Sequence, residues 1–533
     1  MKKIILFLLV IFSVSMYAEE KNGIVYVKLN GTGDGTSWAN AMGDIQSAIN
    51  TARADKAARK DVWVASGNYT ISSSIVMSDS ISLYGSFAGT ETAVDQRAKS
   101  ASGKPWEFTN ATTLTGNNCR LIETASNFDM VTIVDGFILT NGNGVGGTLN
   151  KSGGAAVVRN KMVIQNSVIQ NSTALDGAGG GLNMTGGTVK NSWIYKNTQT
   201  TNANGGGGIY INTASGNETI IENCTIEGNS STIRGGGLNV QGAGFTKMIG
   251  LKVFNNIAEG KQGGAMYQNS ATNSMINSLI YNNTGTNAIQ LRGSLLNSTI
   301  VNNVGGVYMG ESTAAIEFSN NIIWGCITET GGTSATSLTG ANNPKFTVHN
   351  NATYNPIANT SWIIENNIQF SSNNSNGDVE NPAAGTVGSG PKFTKVSTFK
   401  GIASADEEIL ILDSVNWSLQ LGSPCIDAGK TLAAVTTDIL GLTRPQGTAY
   451  EIGAYEKDPA TGLSNNEFIY SVYSRDKQIV ISGFEHPVKV AVYSVSGQTI
   501  YTKTISGSSI EIPVQKGIYI VRVDNSAKKV LVK

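Results

Sequence analysis

The feature that most restricts how this chain can fold is a glycine corner that repeats. Short glycine clusters stand at Gly153-Gly154, Gly179 to Gly181, Gly205 to Gly208, Gly235 to Gly237 and Gly263-Gly264. With Gly154, Gly181, Gly208, Gly237 and Gly264 taken as equivalent, the steps are 27, 27, 29 and 27 residues. A period of that size marks a solenoid, in which each repeat buries its apolar face only against its neighbours. A second landmark recurs behind the corners: Asn166-Ser-Val-Ile-Gln-Asn171, Asn191-Ser-Trp-Ile-Tyr-Lys-Asn197, Asn223-Cys-Thr-Ile-Glu-Gly-Asn229, Asn277-Ser-Leu-Ile-Tyr-Asn-Asn283 and Asn297-Ser-Thr-Ile-Val-Asn-Asn303. Apolar and polar residues alternate there, as in short strands, and no helical period intervenes. Two or three short strands per repeat describe a parallel β-helix.

Stacked coils lie about 4.8 Å apart, so one residue type at one corner of every coil forms a ladder along the axis. Asn suits such a corner because its amide can hydrogen-bond the next Asn and its backbone tolerates the left-handed region. Gly suits the other corner because positive φ and close approach of neighbouring coils cost it little. As a phosphate loop the glycines fail, since no Lys-Ser/Thr pair follows them, and the acidic nonapeptide spacing of calcium-binding β-rolls is missing. Composition agrees: Gly is 62 of 533 residues, Pro only 10, and charged residues 14%, a balance that suits an ordered fold with hydrogen-bonded Asn, Ser and Thr surfaces.

The solenoid needs ends. Ile45, Ala48, Ile49 and Ala52 fall at 3.6-residue spacing and predict a short helix that caps the first coil. The segments Asp61-Val-Trp-Val-Ala-Ser-Gly-Asn-Tyr-Thr70 and Ile81-Ser-Leu-Tyr-Gly-Ser-Phe-Ala-Gly89 read as the first coils. Beyond about Gly331 the period loosens into Asn- and Ser-rich stretches, which read as irregular final coils with long loops. Residues 457–466 read as a linker, and the chain then changes character. Strands at Gln478–Ser482, Val488–Tyr493, Thr499–Lys503, Ser509–Pro513, Gly517–Val523 and Lys528–Lys533 are spaced as in a small antiparallel sandwich.

Residues 1–18 carry a basic start at Lys2 and Lys3, an apolar run from Ile4 to Val14, and a small Ala18, the pattern of a secretory signal peptide. The apolar run is too short to span a bilayer comfortably, so the mature chain is expected to have no transmembrane segment. Lys plus Arg and Asp plus Glu are 38 each, so bulk charge recruits neither nucleic acid nor an anionic membrane. Cys119, Cys224, Cys326 and Cys425 show no metal or redox spacing. Their wide separation suits buried small side chains, although export leaves disulfide pairing open.

Three resemblances follow from motifs. The runs Gly35-Thr-Ser-Trp-Ala-Asn-Ala41, Val62-Trp-Val-Ala-Ser-Gly-Asn-Tyr-Thr70 and Leu83-Tyr-Gly-Ser-Phe-Ala-Gly-Thr-Glu-Thr92 resemble the start of bacterial surface proteins with a right-handed, pectate-lyase-like β-helix. Trp417-Ser-Leu-Gln-Leu-Gly-Ser-Pro-Cys-Ile-Asp-Ala-Gly429, closed by Glu451-Ile-Gly-Ala-Tyr-Glu456, is similar to the ending that many exported β-helices share before a variable anchor. Residues 467–533 resemble the C-terminal sorting domain of the type IX secretion system, with a Tyr-x-x-x-Gly hairpin at Tyr493 and Gly497, a Gly-x-Tyr strand at Gly517 and Tyr519, and a basic final strand at Lys528 and Lys529. The resemblance implies passage across the outer membrane of a Gram-negative bacterium, removal of the domain, and attachment of residues 19–456 to surface polysaccharide or their release. Its implied partners are the type IX machinery and that polysaccharide. The expected fold class is thus all-β, a right-handed parallel β-helix followed by a small antiparallel β-sandwich.

Pectate-lyase-like solenoids include lyases and glycoside hydrolases, both of which need carboxylates clustered on neighbouring coils of one face. Between residues 150 and 325 the acids are Asp176, Glu218, Glu222, Glu227, Glu259, Glu311 and Glu317. Glu218 and Glu222 are placed to share a face, and a solvated strand edge accounts for them. His349 is expected in an Asn-rich loop, His486 on the sorting domain's surface, and Arg234 and Arg292 as isolated cations at coil edges. Trp193, Tyr195, Tyr210, Phe254, Tyr267 and Tyr281 recur on successive coils, where some are expected to point inward as core and others could form a sugar-binding face. No catalytic, metal or cofactor residue is assigned, and calcium has no support. The expectation is an exported, non-catalytic surface protein acting in adhesion or carbohydrate binding to a glycan or host-surface ligand; a polysaccharide lyase or hydrolase is the alternative.

Overall fold

The computed structural model describes residues 23–457 and 471–532, apart from 328–337, 354–362, 370–389 and several stretches of five residues or fewer. The leader read at residues 1–18 and nearly all of the linker lie outside them. The chain divides into two compact units, residues 1–457 and 458–533.

The first unit is a right-handed parallel β-helix. Face one holds thirteen described strands, from Gly23–Val27 to Ile363–Glu365; face two holds twelve, from Gly67–Ile71 to Ile368–Gln369; face three holds ten, from Ile75–Val76 to Leu338–Gly340. A fourth sheet of four short strands begins at Thr173–Leu175. One coil runs through Leu182–Met184, Gly187–Lys190, Trp193–Tyr195 and Thr198–Thr200 on the four sheets in turn.

The inside of each coil is an aliphatic stack. On face two Ile169, Ile194, Ile226, Val253, Ile280, Ile300 and Ile323 occupy one register position, all fully buried. On face one Ile164, Val189, Ile221, Met248, Met275 and Leu295 do the same. Strands of only three residues suffice because the middle side chain alone enters the core, and each such aliphatic contributes roughly 1.5–3 kcal/mol by burial.

Left-handed residues bracket the short strands of face two from Phe137–Thr140 to Ile322–Trp324. Asn191 (φ 50°) and Lys196 (φ 50°) flank Trp193–Tyr195, Asn277 (φ 49°) and Asn282 (φ 51°) flank Leu279–Tyr281, and Asn297 (φ 46°) and Asn302 (φ 53°) flank Thr299–Val301. The hydrogen-bonding ladder belongs to a different set: Asn197, Asn229, Asn256, Asn283 and Asn303, all fully buried, one residue beyond the second corner. The two properties expected of one Asn are therefore divided between neighbours, because a left-handed residue aims its side chain outward while the next one turns into the coil.

The glycine corners also shift by one residue. Paired strands align Ala156, Leu182, Ile209, Leu238 and Met266, giving steps of 26, 27, 29 and 28 residues. The column is Gly154, Gly180, Gly207, Gly236 and Gly264, where a Cβ on Gly180 would stand 2.2 Å from the Gly207 carbonyl oxygen. Clusters of two to four glycines offer several alignments, and only the strand register chooses between them.

At the start of the unit, Ile45–Ala54 is the expected helix, with Ile45, Ala48, Ile49 and Ala52 buried and Asp44 accepting the Ser47 amide at 2.7 Å as N-cap. The first coil begins earlier than read, at Gly23–Val27, which pairs in parallel with Lys60–Ala65. At the far end coils do continue past Gly331, through Leu338–Gly340, Phe346–His349, Ala352–Thr353, Ile363–Glu365 and Ile368–Gln369; the reading of final coils did not include the segment that follows them. Residues 390–456 turn back and pack along the outside of face two, where Trp417, Phe393, Leu419, Ile452 and Tyr455 cover Phe254, Tyr281, Val301 and Trp324. The outward-pointing corner asparagines tie this segment down: Asn282 donates to Phe399 O (3.0 Å), Asn302 to Ser397 O (2.8 Å) and Asn320 to Lys430 O (2.8 Å).

The second unit holds two antiparallel sheets, one of Ser471–Arg475, Gln478–Ser482 and Ser509–Pro513, the other of Thr499–Ile505, Val488–Ser494, Gly517–Val523 and Ser526–Val532. Val472, Ile479, Ile481, Val490, Val492, Val521 and Val523 form their shared core. Ser471–Arg475 is a strand that the sequence reading lacked.

Candidate functional site

The outer side of face two presents two rows of side chains. Register aligns Val168, Trp193, Thr225, Lys252 and Leu279 in one row, and Gln170, Tyr195, Glu227, Phe254 and Tyr281 in the other. From Phe254 onward the rows lie under the returning segment, where Phe254 and Tyr281 stack at 4.7 Å. Before it, Trp193 and Tyr195 stack at 4.4 Å and stay partly exposed. Tyr210 and Tyr267 are buried in the outer row of face three. None of the six expected aromatics enters the coil interior, which corrects the core reading: the lumen's width is set by the Ile, Val, Leu and Met stack, and the aromatics are buried, where they are, by covering segments.

A loop between the strands Leu83–Phe87 and Thr112–Gly116 arches over this exposed part. Its base is pinned by Arg97, whose buried guanidinium pairs with Asp135 at 2.8 Å and donates to Gly85 O at 2.9 Å. Its tip brings Trp106 to 6.3 Å from Trp193 and the Lys104 ammonium to 5.7 Å from the same ring. A pocket of about 270 Å³ lies under Trp106 above Val168 and Trp193. A larger cleft of about 520 Å³ opens beside it, walled by Lys104 and Trp106 on one side and by residues 437–441 on the other, with Glu222, Thr225 and Lys252 on its floor.

The charges of the cleft are few. Lys252 stands open to solvent, yet its ammonium is held below the usual lysine range, first by the desolvating walls and then by the like charge of Lys104. Glu227 is nearly buried and accepts the Trp193 indole N–H at 2.9 Å, so it fixes the ring. Asp438 accepts the Leu440 and Leu442 amides, each at 2.8 Å, and shapes the opposite wall. Cys224 lines the cleft floor, but its sulfur is buried and its thiol is pushed up to about 12 by desolvation, far from a nucleophile.

Glu218 and Glu222 do share the outer side of one strand, but four residues of strand separate them by about 13 Å, beyond the reach of a carboxylate pair. Glu218 meets Lys247 at 3.4 Å, Glu317 meets Lys430 at 2.7 Å, and Asp176 meets Lys151 at 3.1 Å. Among the described residues no three His, Cys, Asp or Glu side chains come together to hold a metal ion. His349 ends the strand Phe346–His349 rather than lying in a loop; its alternating neighbours Phe346 and Val348 continue face one. Arg234 stacks over Tyr267 at 4.7 Å. Arg292 lies at the coil edge, half-buried. Glu311 and His486 lie outside the described residues. All four cysteines are buried, and no disulfide joins them.

Sequence reasoning missed Lys104, Trp106 and Lys252, which come together from positions some 150 residues apart. Their one signal was the stretch between two coil strands, from Phe87 to Thr112, which is too long for a turn and carries a lone Trp.

In the second unit Tyr493 is the next-to-last residue of the strand Val488–Ser494, Gly497 turns the hairpin at φ +83°, and Gly517 opens the strand that carries Tyr519. Tyr519 is buried and donates its hydroxyl to Gln515 O at 2.9 Å. Lys528 and Lys529 lie in the final strand opposite Val521 and Ile520.

Residues 475–533 match the family described as the secretion system C-terminal sorting domain. The second unit is a type IX sorting domain. The protein is accordingly secreted or attached at the outer surface, and among the described residues no helix is long and apolar enough to cross a membrane. Among solved structures the chain is similar to pectate lyase Pel9A, at 14% identity and a TM-score of 0.48, over 82% of this chain and 97% of that one. No curated protein matches the chain.

Proposed function

We propose that this exported protein binds carbohydrate at the cell surface, without cleaving it, in the cleft beneath Trp106. The reading extends to processing: residues 1–18 direct export, residues 467–533 are the sorting domain joined by a linker at 457–466, and residues 19–456 are the working part. Within the sorting domain Tyr493, Gly497, Gly517, Tyr519, Lys528 and Lys529 carry its recognition by the secretion machinery.

The observation that carries the binding reading is Trp193, partly exposed in the pocket under Trp106, stacked on Tyr195 and held in place by its bond to Glu227. Aromatic faces fixed in this way offer apolar area at little entropic cost, which suits the flat faces of sugar rings. The scattered, ion-paired carboxylates favour binding over hydrolysis. The test is to pass polysaccharides over the immobilised chain while assaying for new reducing or unsaturated ends. Retention that Trp193→Ala reduces supports the reading, release of new ends replaces it with the lyase or hydrolase alternative, and neither outcome leaves a protein ligand as the better idea.

A further inference from the structure

The smaller pocket, of about 270 Å³, is walled by Phe108, Phe137, Ile138, Val168 and Trp193 beneath Trp106. Sites for whole small molecules run from about 300 to 1,000 Å³. This one suits a single substituent, and its walls favour an apolar one. Trp106 adds a demand of the opposite kind: its indole N–H is shielded from water and has no hydrogen-bond partner. Trp193, whose ring lies 6.3 Å away, already gives its own N–H to Glu227. Trp63 and Trp417 also lack an indole partner, but neither lines this pocket or the larger cleft.

The polar side chains around the pocket are engaged elsewhere. Glu107 takes the Lys104 ammonium at 3.4 Å, Ser86 gives its hydroxyl to Gly136 O at 2.7 Å, and the Ser100 oxygen takes the Ser102 amide at 3.4 Å. A shielded donor left unpaired destabilises the site, so the pocket is matched to a group that brings an acceptor together with apolar surface. We propose that it takes the acetyl group of an acetylated sugar. The methyl packs against Phe108, Phe137 and Val168, the carbonyl oxygen accepts the Trp106 N–H, and the sugar ring lies on the exposed part of Trp193. This names the ligand class for the carbohydrate-binding reading above and rests on it. An acetamide and an acetate ester offer the same methyl and carbonyl. A bare hydroxyl in that place supplies no apolar surface, and a deoxy-sugar methyl supplies no acceptor.

The test measures binding of two matched neutral pairs to the purified full chain: chito-oligosaccharides against cello-oligosaccharides, which differ in the acetamido group, and acetylated xylan against the same xylan after alkaline deacetylation. The acetylated member of at least one pair should bind about tenfold or more tightly than its plain counterpart. Trp106→Phe, which removes the indole N–H and keeps an aromatic ring, should lose most of that preference. Val168→Phe keeps the indole but fills the pocket, and it should lose the preference as well. Trp193→Ala should weaken both members of a pair alike. The pair that shows the preference separates acetamide from ester. Equal binding of acetylated and plain members, or a preference that either pocket variant retains, overturns the proposal and leaves carbohydrate binding intact. If no glycan of any kind is retained, both readings fall.

Discussion

Asn229 Nδ2 donates to Asn256 Oδ1 at 2.9 Å, and the Asn229 backbone N–H reaches the same oxygen at 2.9 Å. The pattern repeats from Asn256 to Asn283 and from Asn283 to Asn303. Each amide also donates to the backbone of an earlier coil, as Asn256 does to Ile226 O at 2.9 Å. The ladder thus satisfies buried backbone groups at a corner where strand pairing has lapsed.

Replacing Asn256 by Ala leaves the Asn229 N–H and the Ile226 carbonyl without these partners. The expected loss is about 2–4 kcal/mol of unfolding free energy, since each orphaned buried group costs about 1–3 kcal/mol. Urea denaturation checks it; a change under 1 kcal/mol would show that the ladder is only decorative.

The glycine column gives a sharper contrast. In Gly207→Ala the new Cβ would meet the Gly236 and Ser230 carbonyl oxygens at 2.4 Å, so neighbouring coils must separate. We expect a loss of at least about 3 kcal/mol. At Gly216, with φ +81° and nothing within 4 Å, Ala should cost only about 1–2 kcal/mol through the backbone. Equal losses at both sites would remove close approach as the cause.

The returning segment is held by a buried charge cluster. Arg444 pairs with Glu456, whose Oε1 also accepts the Glu451 amide at 3.0 Å, and Asp438 accepts the Glu456 amide at 3.0 Å. Burial first, and then the neighbouring Glu456, push the Glu451 carboxyl up to about 9. The folded protein therefore holds a proton there that the unfolded chain releases near pH 4.5, so stability falls as pH rises across the interval up to about 9. Glu451→Gln, which keeps a neutral hydrogen-bonding group, should flatten that slope and be relatively more stable at pH 8 than at pH 5. Parallel stability–pH curves for the two proteins would contradict the assignment.

Trp417 locks the same segment, fully buried against Tyr281 at 5.9 Å and Phe393 at 5.2 Å. Trp417→Ala should cost about 3–5 kcal/mol. Limited proteolysis should then cut within residues 390–456 before the coils are attacked; cutting elsewhere first would mean that the segment does not depend on this anchor.

Much of the architecture was legible because a solenoid writes its structure locally. The glycine clusters, the Asn-bounded runs and the 3.6-residue spacing from Ile45 to Ala52 each report a backbone conformation or a buried face that neighbouring residues alone decide. The change to longer alternating strands after residue 470 marked the sorting domain in the same way. What the sequence could not decide depends on residues far apart in the chain. Register placed the equivalent corner at Gly180 rather than Gly181, and it divided the roles of Asn282 and Asn283, one tying down an outer segment and the other closing the ladder. Inside and outside are indistinguishable for a Phe or Tyr flanked by alternating residues, so only the fold of residues 390–456 over face two shows that Phe254 and Tyr281 are buried from without. The candidate site follows from the same cause: Lys104 and Trp106 lie on a loop and Lys252 on a distant coil, and only stacking the coils brings them to one cleft.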